Sequence, residues 1–160
     1  MKCLEIAGWK KSSCDDGPGI RSVLFLQGCS MNCPGCHNKD IQKKGEGLLM
    51  DIEEVISSIV NRCHNKRLTI SGGEPLEQWD ALEELLVYLK KMEFDVCLYT
   101  GWNYEDIPKS VFDLVNYVKT GSFVLEKRDS DIHYVGSSNQ QMYSLSNDGE
   151  WKPLVLQIEA

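Results

Sequence analysis

The sequence predicts an α/β domain built on a parallel sheet of a few strands, with a small β tail. Three observations lead there. Short apolar runs alternate with amphipathic helical stretches through most of the chain, the pattern of βαβ units with right-handed crossovers. That alternation lapses over roughly the last forty residues, where two strand-like runs flank a turn. The chain has 160 residues, which suits one domain (1–160) and falls short of the ~250 needed for a closed (β/α)₈ barrel.

The first strand is Val23-Leu24-Phe25-Leu26-Gln27, bracketed by the turn signal Asp15-Asp16-Gly17-Pro18-Gly19 and by Gly28. Its unbroken apolar character fits a strand buried on both faces. A helix follows over residues 51–62. Asp51 caps it, Glu54 completes a capping-box pair, and Ile52, Val55, Ile56, Ile59 and Val60 share one face. Leu68-Thr69-Ile70 is the next strand, ended by Ser71-Gly72-Gly73-Glu74-Pro75. A second helix covers residues 77–91, with Leu82, Leu85, Leu86 and Leu89 as its apolar stripe. Val96-Cys97-Leu98-Tyr99 is a strand stopped by Thr100-Gly101, and a third helix over 110–116 leads to a weaker strand at Tyr117-Val118-Lys119. In the tail, Met142-Tyr143-Ser144-Leu145 and Pro153-Leu154-Val155-Leu156-Gln157-Ile158 read as strands about the turn Asn147-Asp148-Gly149.

Composition narrows the function classes. Seventeen basic against 24 acidic side chains give a net charge of −7, which argues against a nucleic-acid binder resting on a basic face. No run approaches the ~18 apolar residues of a membrane helix, and Met1-Lys2-Cys3-Leu4-Glu5-Ile6 lacks the apolar stretch of a secretory leader. The expectation is a cytoplasmic protein with no membrane contact. Seven cysteines cannot all pair, and in a reducing compartment clustered cysteines signal metal or redox chemistry.

Three of the seven fall within eight residues, in Gly28-Cys29-Ser30-Met31-Asn32-Cys33-Pro34-Gly35-Cys36-His37-Asn38. Gly28, Pro34 and Gly35 keep this Cys-x3-Cys-x2-Cys stretch out of a helix and let three sulfurs converge. Convergent thiolates suit zinc or an iron–sulfur cluster. A structural zinc site wants four closed ligands, whereas the loop offers three, with Cys63-His64 as a distant fourth. A 4Fe–4S cluster on three cysteines leaves one iron open to a small molecule. Cys3, Cys14, Cys63 and Cys97 lack mutual spacing, and Cys97 sits in an apolar strand as a small core hydrophobe. Ser71-Gly72-Gly73-Glu74 ends a strand at the carboxyl edge of the sheet, where parallel α/β folds bind ligands. Its glycines let backbone approach a ligand, and its carbonyls or Glu74 can accept from an ammonium; a plain strand-to-helix turn is the alternative. No phosphate-binding P-loop pattern occurs.

Cys-x3-Cys-x2-Cys directly after a strand resembles the radical S-adenosylmethionine superfamily. Asp16-Gly17-Pro18-Gly19-Ile20-Arg21, Cys36-His37-Asn38 and Ser71-Gly72-Gly73-Glu74-Pro75-Leu76 resemble its glycyl-radical-enzyme activases. Tyr99-Thr100-Gly101-Trp102, Gly136-Ser137-Ser138-Asn139-Gln140 and the short length are similar to the subfamily that activates anaerobic (class III) ribonucleotide reductase. The resemblance implies a partial, open (β/α) barrel of radical S-adenosylmethionine type. It implies Cys29, Cys33 and Cys36 as ligands of one 4Fe–4S cluster, whose open iron takes the amino and carboxylate groups of S-adenosylmethionine. Gly72, Gly73 and Glu74 then hold the methionine amino group, Gly35 and His37 flank the adenine, and Thr100 approaches the ribose or methionine. The implied reaction uses an electron from reduced flavodoxin or ferredoxin to make a 5′-deoxyadenosyl radical. That radical abstracts hydrogen from a backbone glycine of a large glycyl radical enzyme, here anaerobic ribonucleotide reductase. Another glycyl radical enzyme or a small molecule is the alternative substrate, and a zinc-binding interaction module the alternative of another class.

Asp16 and Arg21 are placed to grip the partner's glycine loop, against a capped turn and a surface arginine. Asn139 and Gln140 are placed to close the cofactor site or meet the partner. Two positions depart from the pattern. Glu74 stands where the reductase activators often carry aspartate, and Lys119-Thr120-Gly121-Ser122 stands where many members carry an aspartate–glycine pair.

Overall fold

The computed structural model describes residues 2–154. In chain order the elements are β1 (Cys3–Ser13), β2 (Arg21–Leu26), β3 (Leu48–Asp51), α1 (Ile52–Arg62), β4 (Arg67–Gly72), α2 (Trp79–Lys91), β5 (Asp95–Tyr99), α3 (Val111–Leu114), β6 (Tyr117–Thr120), β7 (Gln141–Leu145) and β8 (Trp151–Pro153). All eight strands join one mixed sheet, ordered β3-β1-β2-β4-β5-β6-β7-β8. The four central strands, β2, β4, β5 and β6, are parallel, and the flanking ones are antiparallel.

The parallel core is the one expected from the apolar runs, and it is positioned by burial. In register, Leu24 lies opposite Ile70, Ile70 opposite Leu98, and Leu98 opposite Val118. Because side chains alternate across a strand, these residues share a face. On that face they pack against Ile52, Val55 and Ile59 of α1 and Leu82, Leu85, Leu86 and Leu89 of α2 in one buried cluster. The capping box of α1 forms as expected, with the Glu54 N–H donating to Asp51 at 2.9 Å and the Asp51 N–H donating to Glu54 at 3.2 Å. The other face holds a small cluster around Cys97 and Met142, and toward the carboxyl ends of the strands it opens into a cavity.

The structure extends and corrects the expected elements. β1, the longest strand, and β3 add an antiparallel pair beyond β2. Only Leu4 and Ile6 show strand alternation in β1, and its second half places Lys10, Lys11 and Ser12 at the surface, so its period is faint. The second helix begins later than expected, because residues 75–78 form a separate 3₁₀ turn behind Pro75. The third helix is a single turn. The last strand is Trp151–Pro153, reached through a turn at 147–148, and the rest of the expected strand, 155–158, lies outside the described residues.

Arg21 is no surface arginine; its side chain is turned into the fold. It is 1 % exposed at the amino ends of the parallel strands, the edge opposite the cysteine loop. Its guanidinium donates to the Thr69 hydroxyl (3.0 Å) and to the carbonyls of Pro18 (3.0 Å), Leu68 (3.0 Å) and Asp95 (2.8 Å). It also pairs with the Asp95 carboxylate at 2.7 Å. One side chain thus ties β2, β4 and β5 together at their starts.

Candidate functional site

The loops leaving β2, β4, β5 and β6 converge at the carboxyl edge on a cavity of about 550 Å³. Cys29, Cys33 and Cys36 line it, together with Gly72, Gly73 and Glu74 after β4, Thr100 and Gly101 after β5, and Lys119 on β6. Ile132, Tyr134 and Gln140 from the stretch after β6 line the far side. Segments far apart in sequence therefore meet where the strand pattern placed them.

The cysteine loop is held by backbone bonds. The Gly28 N–H donates to Ile41 at 2.7 Å and the Cys29 N–H to Gln42 at 2.8 Å, with Gly28 at φ +101°. Gly35 turns the chain between the last two cysteines at φ +75°, a conformation that favours glycine. The Asn38 amide donates to the Gly72 carbonyl at 2.9 Å, joining the loop to the β4 turn. All three thiols are free and half-buried. Burial pushes the Cys29 thiol up, opposed by the backbone N–H of Met31. Among the described residues no three His, Cys, Asp or Glu side chains are grouped as ligands of a single ion. A 4Fe–4S cluster makes a different demand, one thiolate on each of three irons, and a soft, all-sulfur donor set lining one cavity fits it.

The glycines of the β4 turn have a packing reason. A Cβ on Gly72 would stand 2.2 Å from the Leu26 carbonyl oxygen, and one on Gly73 2.1 Å from the Gly28 carbonyl oxygen. Here the Gly73 N–H donates to Leu26 at 2.9 Å and the Glu74 N–H to Gly28 at 2.8 Å. Two bare backbones in contact clamp the β4 turn to the start of the cysteine loop.

Glu74 is 1 % exposed, and its carboxylate is occupied by the protein. It accepts from the N–H groups of Leu76 (2.9 Å) and Gly101 (2.6 Å) and from the Thr100 hydroxyl, 2.9 Å from both oxygens. Thr100 in turn accepts from the Trp102 N–H at 3.0 Å. Burial pushes the Glu74 carboxyl above the usual range, while the Gly101 and Leu76 N–H groups, Thr100 and the Lys119 charge pull it back. Glu74 and Thr100 thus link the β4 and β5 turns to each other at the cavity wall.

His37 also lines the cavity; it is exposed and packs on Phe123 with ring centroids 5.4 Å apart. Asp16 lies at the rim, accepting from Ser13 at 2.5 Å and pairing with Lys10 at 3.5 Å. Gln140 accepts from the N–H groups of Gly136 (2.7 Å) and Ser137 (3.1 Å) and donates to Gly121 at 3.0 Å, and Asn139 donates to Ser122 at 2.8 Å. These amides pin the stretch after β6 against the cavity.

The sequence marked Lys119 as a strand residue and a departure and Tyr99 as part of Tyr99-Thr100-Gly101-Trp102, and gave neither a role in the site. Lys119 lies opposite Tyr99 in the β5–β6 register, and its ammonium stands 5.0 Å from the Tyr99 ring centroid. Period-two counting from buried Val118 was the available signal, since it turns Lys119 to the face away from the helices.

A model of the 4Fe-4S single cluster domain matches residues 15–143. The chain is 30% identical over 142 residues to the anaerobic ribonucleoside-triphosphate reductase-activating protein of Salmonella typhimurium, covering 81% of this chain and 92% of that one. It is 33% identical over 141 residues to the protein of the same name from Escherichia coli K12, with the same coverage, 81% and 92%. It is also 38% identical over 92 residues to the pyruvate formate-lyase-activating enzyme of Staphylococcus aureus USA300, covering 54% of this chain and 37% of that enzyme. With the cysteine loop and the Gly-Gly-Glu turn meeting at one cavity inside the matched span, the chain belongs to the 4Fe-4S single cluster domain family and to the family of anaerobic ribonucleoside-triphosphate reductase-activating proteins.

Proposed function

We propose that the chain acts as a single radical S-adenosylmethionine domain that activates a glycyl radical enzyme, anaerobic ribonucleotide reductase. The observation that carries this is the meeting of three free cysteines with the Gly72-Gly73-Glu74 turn in one cavity at the carboxyl edge of a parallel sheet. Bound there, a reduced 4Fe–4S cluster supplies the electron that cleaves S-adenosylmethionine, and the resulting 5′-deoxyadenosyl radical takes hydrogen from a backbone glycine of the partner.

Cys29, Cys33 and Cys36 would hold the cluster and leave one iron free for the amino and carboxylate groups of S-adenosylmethionine. The turn after β4 receives the methionine ammonium through backbone, while Glu74 and Thr100, bonded to each other, set the position of that backbone. Gly35 and His37 border the adenine side. The stretch pinned by Asn139 and Gln140 lines the far side of the cavity. The sheet ends at β3 and β8 without closing among the described residues. This suits a partial, open barrel whose free side admits a protein-sized substrate. Reduced flavodoxin or ferredoxin is the electron donor in this reading, and the protein works in the cytoplasm, with neither nucleic acid nor membrane as partner.

Likeness to a pyruvate formate-lyase-activating enzyme over 92 residues favours a second partner of the same kind. The test mixes cluster-loaded, reduced protein and S-adenosylmethionine with each purified partner and looks for a glycyl doublet by electron paramagnetic resonance. A doublet with anaerobic ribonucleotide reductase is the expected result. A doublet with pyruvate formate-lyase alone supports the second reading, and none with either contradicts both.

A further inference from the structure

Lys119 is the one lysine or arginine among the described residues lining the cavity. Among those residues its ammonium has no carboxylate within ion-pair distance and makes no side-chain hydrogen bond. Its register neighbours fix it from both sides, Tyr99 on β5 and Met142 on β7, and the Tyr99 ring lies under the ammonium at 5.0 Å. The other charged groups that line the cavity are acidic, namely Glu74, Asp15 and Asp16, besides the three thiols. Burial pushes the Lys119 ammonium below its usual range, and the negative charge of Glu74 pushes it back up. A cation held in such a place has desolvation against it unless negative charge faces it.

A 4Fe–4S cluster on three thiolates is anionic, and reduction adds one more negative charge. We propose that Lys119 is a positioning charge that favours the reduced state of the cluster held by Cys29, Cys33 and Cys36, raising its midpoint potential into the range of a cellular electron donor. This rests on the reading of the cysteine loop as a cluster site. Lys119 and the three thiols line one cavity, where a charge–charge interaction is worth more than at an open surface. Lys119 touches no reacting atom in this role; its effect passes through the cluster's redox equilibrium.

The test is a redox titration of cluster-loaded protein without S-adenosylmethionine, followed by electron paramagnetic resonance, on wild type, Lys119→Met and Lys119→Arg. The expected result is a lower midpoint for Lys119→Met, with the reduced-to-oxidised ratio at fixed solution potential falling about tenfold, ~59 mV for a one-electron couple. Lys119→Arg keeps the wild-type midpoint. If Lys119→Met takes up no iron, Lys119→Gln is titrated instead, because it keeps a polar head without the charge. A neutral variant that titrates with wild type overturns the proposal. So does a neutral variant with an unshifted midpoint and weakened S-adenosylmethionine binding, which assigns the ammonium to that ligand's carboxylate. Wild-type protein that binds no iron fails the reading of the cluster itself, before Lys119 is tested.

Discussion

Gly73→Ala tests the clamp between the β4 turn and the cysteine loop. The added Cβ would stand 2.1 Å from the Gly28 carbonyl oxygen and 2.6 Å from its carbon, both backbone atoms. Real Cβ contacts stay above 3.0 Å, so the two backbones must part by close to an ångström. That separation breaks the bonds from Gly73 N–H to Leu26 (2.9 Å) and from Glu74 N–H to Gly28 (2.8 Å). Each broken bond costs about 1 kcal/mol net and up to about 3 kcal/mol where a buried partner is left unsatisfied, which gives roughly 2–6 kcal/mol in all. Against a typical stability of about 5–15 kcal/mol this is a large loss. The assay is anaerobic urea unfolding of the cluster-free protein, followed by circular dichroism. Gly8→Ala is the control, because nothing lies within 4 Å of its Cβ, and it is expected within about 0.5 kcal/mol of wild type. Since Gly28 adjoins Cys29, iron uptake by Gly73→Ala falls as well. Stability of Gly73→Ala within about 0.5 kcal/mol of wild type would refute the reasoning.

Three further outcomes follow from the geometry. Burial raises the Glu74 carboxyl in the folded protein, so its contribution is complete below the ordinary glutamate range and is lost as pH rises through the raised value. The stability advantage of wild type over Glu74→Gln therefore shrinks as pH rises above the ordinary glutamate range, about pH 4, and a flat or growing difference contradicts the burial argument. In native, cluster-free protein near neutral pH, a thiol reagent labels exposed Cys3 and Cys14 quickly. It reaches Cys63 and Cys97 only on unfolding, since both are buried and burial pushes the Cys97 thiol up to about 12. Arg21→Met removes a buried guanidinium from four strand-end partners and leaves Asp95, about a third exposed, unpaired. A loss of about 3 kcal/mol in urea unfolding is expected, and a neutral effect refutes a tie role for Arg21.

The features legible in the sequence are those with a strong local cause. The central strands announced themselves as apolar runs, and α1 as Asp51 and Glu54 three residues apart ahead of a periodic face. The cysteine loop was legible because its spacing and its glycines are local too. β1 was not, because only Leu4 and Ile6 carry its pattern, while Lys10, Lys11 and Ser12 in its second half are exposed. Arg21 was misjudged for a related reason. An arginine beside a Pro-Gly turn reads as exposed, and only the assembled strand starts supply the carbonyls and the carboxylate that make its burial tolerable. Gly72, Gly73 and Glu74 were legible as a turn at the carboxyl edge of the sheet, but their bonds to Leu26, Gly28, Thr100 and Gly101 belong to neighbours distant in sequence. Lys119 had no local signal beyond its place in the strand register.

The central claim is that Cys29, Cys33 and Cys36 hold a cluster that cleaves S-adenosylmethionine in this cavity. The most direct measurement reconstitutes the protein anaerobically with iron and sulfide, reduces it with dithionite, adds S-adenosylmethionine and assays 5′-deoxyadenosine by chromatography. Wild type is predicted to form it, and Cys29→Ala, Cys33→Ala and Cys36→Ala to form none. Wild-type protein carrying about four iron and four sulfide that yields no 5′-deoxyadenosine would contradict the account, as would equal yield from any of the three variants.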